Sequence, residues 1–425
     1  MAVPGPGHKH ADTLRQDRPA QVVGLLSLLS FVAYPLRTNI TVAAAAMMPD
    51  LRLTQVQMGD VFSAFQLPYA LFQIPGGFLG DRFGARAVLT WAALLWGLSS
   101  AATGLVPASL GVGGVLLFLG GARALLGVGQ AAMYPVGTMA IERHVPSGYR
   151  GRAVALFLAA AVIGSTLAPV LVSQGMVTFG WRVTFFVAAA LAVLAAAIWW
   201  RGAPVPDRRE PVPFGRQIRR VAALLRNRRL MLLSLSYMCQ AAVWFLFVYW
   251  FYIYLTDVRG FTMLRGGLFA TAPYVASAVI GPLGGLMLDH LTRRTGVVTA
   301  RRATAISGML ASAACVLLGA RLGNPYLAIG ALALSAGMIN FVEAAYWTTA
   351  AELGGADAGA AAGVLNTMGN LGGVFSASAV PRLVATWGWI PSMLVFSGVA
   401  VAGALLWLTF VPTRDDGSGA TAVRP

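Results

Sequence analysis

Residues 231–255 of this 425-residue chain contain no charged side chain, and 187–200 repeat the pattern. A helix needs about 20 apolar residues to cross ~30 Å of hydrocarbon. Inside that layer every backbone polar group must find its partner within the chain. A β-barrel would instead alternate polar and apolar residues over ~10-residue segments. Composition closes the soluble alternative. The AVILMFWYC set makes up 57% and charged residues 11%, with mean hydropathy +0.71, whereas soluble domains carry about 25% charged residues. The expectation is an all-α integral membrane protein.

Apolar segments occur near 22–48, 57–79, 87–106, 114–141, 153–176 and 183–200, then 231–255, 266–288, 303–320, 325–350, 358–381 and 389–411. That predicts twelve transmembrane helices. Residues 1–20 read as a disordered cytoplasmic tail without a secretory signal, and 413–425 as a second tail. A Pro- and Arg-rich linker at 201–229 separates halves at 21–200 and 230–412. The halves repeat. Gly76-Gly77 with Asp81 returns as Gly284-Gly285 with Asp289, Gly180-Trp181 as Gly388-Trp389, and Gly151 and Gly164 as Gly359 and Gly372, each 208 residues on. One offset at three independent places marks two pseudo-symmetric six-helix bundles.

Net charge is +16, which in a soluble protein would point to nucleic acid. Here it follows the loops. With both termini cytoplasmic, 23 of the 31 basic residues fall in inside segments and 6 in outside ones. That asymmetry orients the chain in a cell membrane and removes any need for a nucleic-acid partner. Cys239 and Cys315 lie in apolar runs and form neither a metal pattern nor a disulfide framework.

Two six-span halves joined by a long loop resemble the major facilitator superfamily. Gly76-Gly77-Phe78-Leu79-Gly80-Asp81-Arg82-Phe83-Gly84-Ala85-Arg86 is similar to its signature between spans two and three. The resemblance implies a cytoplasmic charge latch built on Asp81, Arg82 and Arg86, joined by Glu142, with Asp289 and Glu352 as its counterparts in the second half. More narrowly, Leu71–Gly77, Gly151-Arg152-Ala153, Gly180-Trp181-Arg182 and Gly369-Asn370-Leu371-Gly372-Gly373 resemble the anion:cation symporter branch, which includes sugar-acid and sialin-like carriers.

The two remaining basic residues, Arg37 and Arg123, fall within spans one and four. A charge in hydrocarbon costs several kcal/mol unless it faces a cavity or a partner, and Pro35 loosens the helix beside Arg37. Guanidinium forks bind carboxylate or phosphate at two points, so two on facing helices would form a midplane anion site. Arg123 can alternatively snorkel or pair structurally. The resemblance associates both arginines with the substrate anion. It also implies acids that this chain lacks: Leu36 precedes Arg37 and Gln130 follows the glycines of span four. An amide binds substrate but takes up no proton near neutral pH, which weakens the expectation of proton symport.

Glu343, inside span ten, is the replacement candidate for proton or cation coupling. Asp60, at the outer start of span two, reads as a solvated helix end. Tyr34, Tyr69, Tyr134, Trp244, Trp347, Asn366 and Asn370 are candidate cavity residues, and the resemblance favours Trp347 and Asn366 for substrate hydroxyls. The glycines at 363, 369, 372 and 373 read as packing and bending positions of span eleven. No nucleotide loop, nucleophile elbow, metal motif or cofactor signature occurs. The reading is a non-enzymatic, monomeric carrier of a small organic anion, working by alternating access with or without a proton or other coupling ion. A drug exporter, an organophosphate antiporter and a non-transporting membrane sensor stay open as alternatives.

Overall fold

A computed structural model describes residues 19–204 and 214–413, nearly all of them helical. The N-terminal tail up to residue 18, the linker stretch 205–213 and the tail from residue 414 lie outside the described residues. The helices are α1 (Pro19–Leu51), α2 (Gln55–Leu105), α3 (Gly111–Ala131), α4 (Met133–His144), α5 (Arg150–Gly202), α6 (Phe214–Leu225), α7 (Arg228–Ile253), α8 (Met263–Phe269), α9 (Ala272–Thr295), α10 (Val297–Arg321), α11 (Pro325–Phe341), α12 (Glu343–Gly354), α13 (Ala358–Trp387) and α14 (Trp389–Leu406).

Among the described residues nine helical stretches are long and apolar enough to cross a membrane. Three of them, Gln55–Leu105, Ser147–Gly202 and Pro325–Trp387, hold 51, 56 and 63 residues, enough for two crossings each. The first two turn back at Gly84 (φ 81°) and Gly180 (φ 80°), and the third at Gly355 (φ 53°). Only glycine adopts such φ values without strain. The result is twelve crossings. Pro19 and the Leu406 end of α14 therefore share one side of the membrane, here the near side; the Asp50 end of α1 lies on the far side.

The repeat has a packing cause. A Cβ on Gly164 would strike the Phe31 carbonyl of α1, and one on Gly372 the Met238 carbonyl of α7. Likewise Gly76 abuts Ala132 and Gly284 abuts Phe341. Equivalent glycines thus set the same close helix approaches in both halves, where backbone contact replaces side-chain packing. The turns also correspond, Gly84 to Gly296 (φ 83°) and Gly180 to Gly388 (φ 80°). Four extra residues between Asp289 and Gly296, about one helical turn, separate the first pair by 212 rather than 208.

The linker is less featureless than its composition implies. It contains α6, in which Ile218, Val221, Leu224 and Leu225 recur at helical spacing among arginines. Such an amphipathic segment lies along a surface rather than crossing, and α6 packs against α13 and α7.

Candidate functional site

Arg37 sits two residues beyond Pro35 in α1, whose missing N–H bends the helix. Its Nη2 donates to Gln66 Oε1 at 3.1 Å. Its guanidinium lies 4.6 Å from the Tyr69 ring centroid, 5.1 Å from Phe65, 5.7 Å from Phe245 and 5.9 Å from Tyr34. Each ring contributes roughly 0.5–2 kcal/mol of cation–π attraction, more when water is excluded. No described carboxylate pairs with it. Above it, Tyr134 donates to the Tyr34 hydroxyl at 2.7 Å.

Gln66 is the hub of this region and is fully buried. Its Oε1 accepts from Arg37 and from the Tyr249 hydroxyl at 2.7 Å, while its Nε2 donates to Asn370 Oδ1. It belongs to a polar ladder between span two and the antiparallel span eleven. From the far side inward, Arg382 pairs with Asp60 at 2.8 Å, Ser63 meets Ser378 at 2.7 Å, Gln66 meets Asn370, and Asn366 donates to Gln73 at 2.6 Å. Gln55 adds a bond to Asp257 at 3.2 Å. Asp60, read as a solvated end, is thus half-exposed but bridged to the other half. These bonds join the halves from the far surface to the middle of the protein.

Arg123 does not face Arg37 in this conformation. It is 1% exposed and points into the first half, with Nη1 at 3.3 Å from the Leu36 carbonyl and 3.4 Å from Asn39 Oδ1, and Nη2 at 3.4 Å from Thr103 Oγ1. Its guanidinium also lies 5.3 Å from the Phe185 centroid, and its Nε has no hydrogen-bond partner. The expected two-arginine fork is therefore not assembled here. Successive residues on a helix project about 100° apart, so Arg123 meets span one on its Leu36 side while Arg37 turns to the other half. Gln130, equally buried, donates to the Ala33 carbonyl at 2.7 Å and ties span four to the Pro35 bend.

The second half supplies the one carboxylate in the middle of a span. Spans four and ten are both interrupted, at Ala132 and Val342, and Glu343 opens α12 directly after the second break. Its Oε1 accepts from Gln240 Nε2 at 3.0 Å, its Oε2 from Trp347 Nε1 at 2.5 Å, and the Tyr237 hydroxyl donates at 3.3 Å. Trp347 is 37% exposed, yet its indole N–H is committed to Glu343. Trp244 packs edge-on against Tyr274, 5.6 Å between centroids.

The near-side charges require a correction. Asp81 pairs with Arg143 at 2.9 Å, and not with Arg82, Arg86 or Glu142. Arg82 lies over Phe83, and Arg86 donates to the Trp200 carbonyl at 2.8 Å. The Gly84 turn separates Asp81 from Arg86 and delivers Arg86 to span six. Glu142 is exposed, without an ion pair to a described residue. In the second half Glu352 pairs with Arg301 at 2.6 Å while Asp289 is exposed. Each pair stays within one half, so these ion pairs do not latch the halves together.

Gln66, Gln73, Phe65, Phe245, Tyr249, Tyr237 and Gln240 were not anticipated as site residues. Their signal was positional: 60, 63, 66 and 73 are polar residues on one face of an otherwise apolar helix. Among the described residues no group of three or more His, Cys, Asp or Glu could hold a metal.

A bacterial homologue of the human lysosomal transporter Spinster, solved inward-facing, superposes with TM-score 0.76 at 19% identity over 92% of this chain and 96% of that one, a likeness of fold. GudP of Escherichia coli (strain K12), a probable galactarate/D-glucarate transporter, is 29% identical over 92% of each chain. SauU of Cupriavidus necator, a probable sulfoacetate transporter, is 31% identical over 92% of this chain and 93% of its own. The model of the Major Facilitator Superfamily matches residues 26–377, which reach into both bundles and include the Gln66–Asn370 and Gln73–Asn366 rungs between them. With its twelve crossings, repeated glycines and signature loop accounted for, the chain belongs to the Major Facilitator Superfamily.

Proposed function

We propose that this transporter carries a small organic anion bearing a carboxylate or sulfonate, of the class that includes sugar acids and sulfoacetate, and that Arg37 is its anchor. The carrying observation is an intramembrane guanidinium at the junction of the halves with no carboxylate partner. An anion entering there gains a charge-assisted fork in a low-dielectric site. Tyr34 and Asn366 border the same region and would read the substrate's polar body, with Trp347 doing so once released from Glu343. Gln130 and Arg123 act on the site through span one in this conformation.

The ladder closes the far side, so this is the conformation open to the near side. The excess of basic residues in near-side loops supports a cytoplasmic near side, with both termini inside a plasma membrane. Both halves come from one chain, so a monomer contains the whole site. Transport then requires the ladder to part while the near-side ends approach.

The test is a thermal-shift panel on detergent-purified protein with galactarate, D-glucarate, sulfoacetate, phosphate esters and organic cations. Stabilisation by one anion class, lost in Arg37→Ala, supports the reading. Stabilisation by cations alone, or an anion response intact in Arg37→Ala, refutes the anchor and moves the case to an exporter.

A further inference from the structure

We propose that Glu343 is the proton-carrying group of the transport cycle and that Trp347 passes its protonation state to the bound anion, an inference that rests on the organic-anion reading above. Among the described acidic residues, Glu343 alone lies in the middle of a span. The two positions where the resembling branch carries acids hold Leu36 and Gln130.

The donor set decides what Glu343 can bind. Trp347 Nε1 can only donate, and the Gln240 Nε2 is held as a donor by its second bond, to the Ile339 carbonyl at 2.7 Å, so the Tyr237 hydroxyl is the bonded group placed to accept. A metal cation or sodium needs several oxygen ligands, and this carboxylate is ringed by N–H groups. A proton needs only an oxygen lone pair. As drawn, the donors satisfy the ionised carboxylate. Protonation puts a new donor into a ring of donors, which the Tyr237 oxygen must accept. The bond from Trp347 then loses its charge assistance, and the N–H of the half-exposed indole is freed.

The titratable surroundings are sparse. Span seven presents Tyr237 and, further along, Cys239. Its own helix presents Tyr346, whose hydroxyl is bonded to Ser236 at 2.6 Å. Spans eight, nine and eleven carry charge only near the membrane edges, at Arg265, Asp289, His290, Arg293, Arg294, Arg301, Arg302, Arg321 and Arg382. Across the interface the nearest intramembrane charge by sequence placement is Arg37. An ionised Glu343 repels an anion held there, and a protonated one does not. One proton taken from the far side, bound with the anion and released with it on the near side, balances the cycle as symport.

Two readouts test this separately. Infrared difference spectra between acidic and alkaline buffer, on wild type in liposomes without substrate, should show a protonated-carboxyl band. That band should be absent in Glu343→Gln, displaced in Trp347→Phe and retained in Asp289→Asn. Identical spectra in wild type and both Glu343→Gln and Trp347→Phe would overturn the assignment; if Glu343→Gln fails to fold, an unmoved band in Trp347→Phe does so alone. Proteoliposomes offered sulfoacetate or D-glucarate then test the coupling. Wild type should concentrate the anion under an imposed pH gradient, and Glu343→Gln should not, its anion exchange no longer varying with pH. Gradient-driven uptake in Glu343→Gln overturns the proposal and leaves the carrier reading standing. No uptake or binding of either anion by wild type counts against the carrier reading, whereas the infrared result stands without it.

Discussion

Gln66 of span two donates its side-chain amide to the Asn370 side chain of span eleven, although 304 residues separate them. The same Gln66 accepts from Arg37, so the group that positions the candidate anion anchor is also a rung of the contact that must open during transport. An anion that competes for Arg37 would weaken the hold of the first half on the second. On the proposed reading of Arg37 as anion anchor, substrate binding and gate opening would be linked through one amide.

Gln66→Leu keeps the volume and removes all three bonds. It leaves the Arg37 guanidinium and the Tyr249 hydroxyl without their acceptor, at a cost of about 1–3 kcal/mol each if neither finds water. The expected outcome is a lower melting temperature and faster labelling of cysteines placed on the far-side face of span eleven. Labelling as slow as in wild type would show that the ladder's other rungs suffice to hold the far side shut.

Ser63 and Ser378 face each other at 2.7 Å across the halves. A Ser63→Cys, Ser378→Cys pair, made in a background with Cys239→Ala and Cys315→Ala, should oxidise readily to a disulfide. Because this contact must separate for the far side to open, oxidation should stop uptake and reduction restore it. Undiminished flux through the cross-linked protein would mean that spans two and eleven stay paired throughout the cycle.

Much of this was legible in the sequence, for reasons that differ by residue. Gly164 and Gly372 were readable because a helix approach tight enough to need glycine in one half needs it again in the other. Arg37 was readable because charge inside an apolar run is too costly to be incidental. The partner of Asp81 was not. Arg82 and Arg86 are its neighbours in sequence, but the Gly84 turn sends Arg86 to Trp200, and span four brings Arg143 instead. Arg123 was visible as a charge, yet which face of span four meets the first half depends on packing that no local pattern encodes. Gln66 and Gln73 were overlooked because an amide in an apolar helix costs little enough to pass as incidental, and only the opposing Asn370 and Asn366 give it meaning.

Arg123 offers a sharper test of what burial means. Its three acceptors are neutral and 3.3–3.4 Å away, and one donor is unpaired. Replacing an imperfectly satisfied buried charge by an apolar side chain of similar length is often neutral or stabilising. Arg123→Met should therefore shift stability by no more than about 1–2 kcal/mol and should keep the thermal response to whichever anion stabilises wild type. Loss of that response would place Arg123 in contact with substrate in a second conformation, and would restore the two-arginine fork.

The glycines of span eleven separate into two kinds, and substitution should tell them apart. A Cβ on Gly372 would meet the Met238 carbonyl and the Ala242 amide, main-chain atoms that cannot swing aside, whereas a Cβ on Gly363 meets nothing within 4 Å. Gly372→Ala must push α13 from α7, and with it the Asn370 rung two residues away, so a loss of about 1–3 kcal/mol is expected, as for an overpacked core. Gly363→Ala removes backbone freedom from the unfolded chain at a helical position with room for it, and should stabilise by about 0.4–1 kcal/mol. Melting curves in one detergent, with uptake in parallel, make the comparison. If Gly363→Ala melts normally yet transports slowly, the freedom of that glycine serves the near-side movement of span eleven; equal melting losses at both sites would instead mean that span eleven tolerates an added methyl on neither of these two faces.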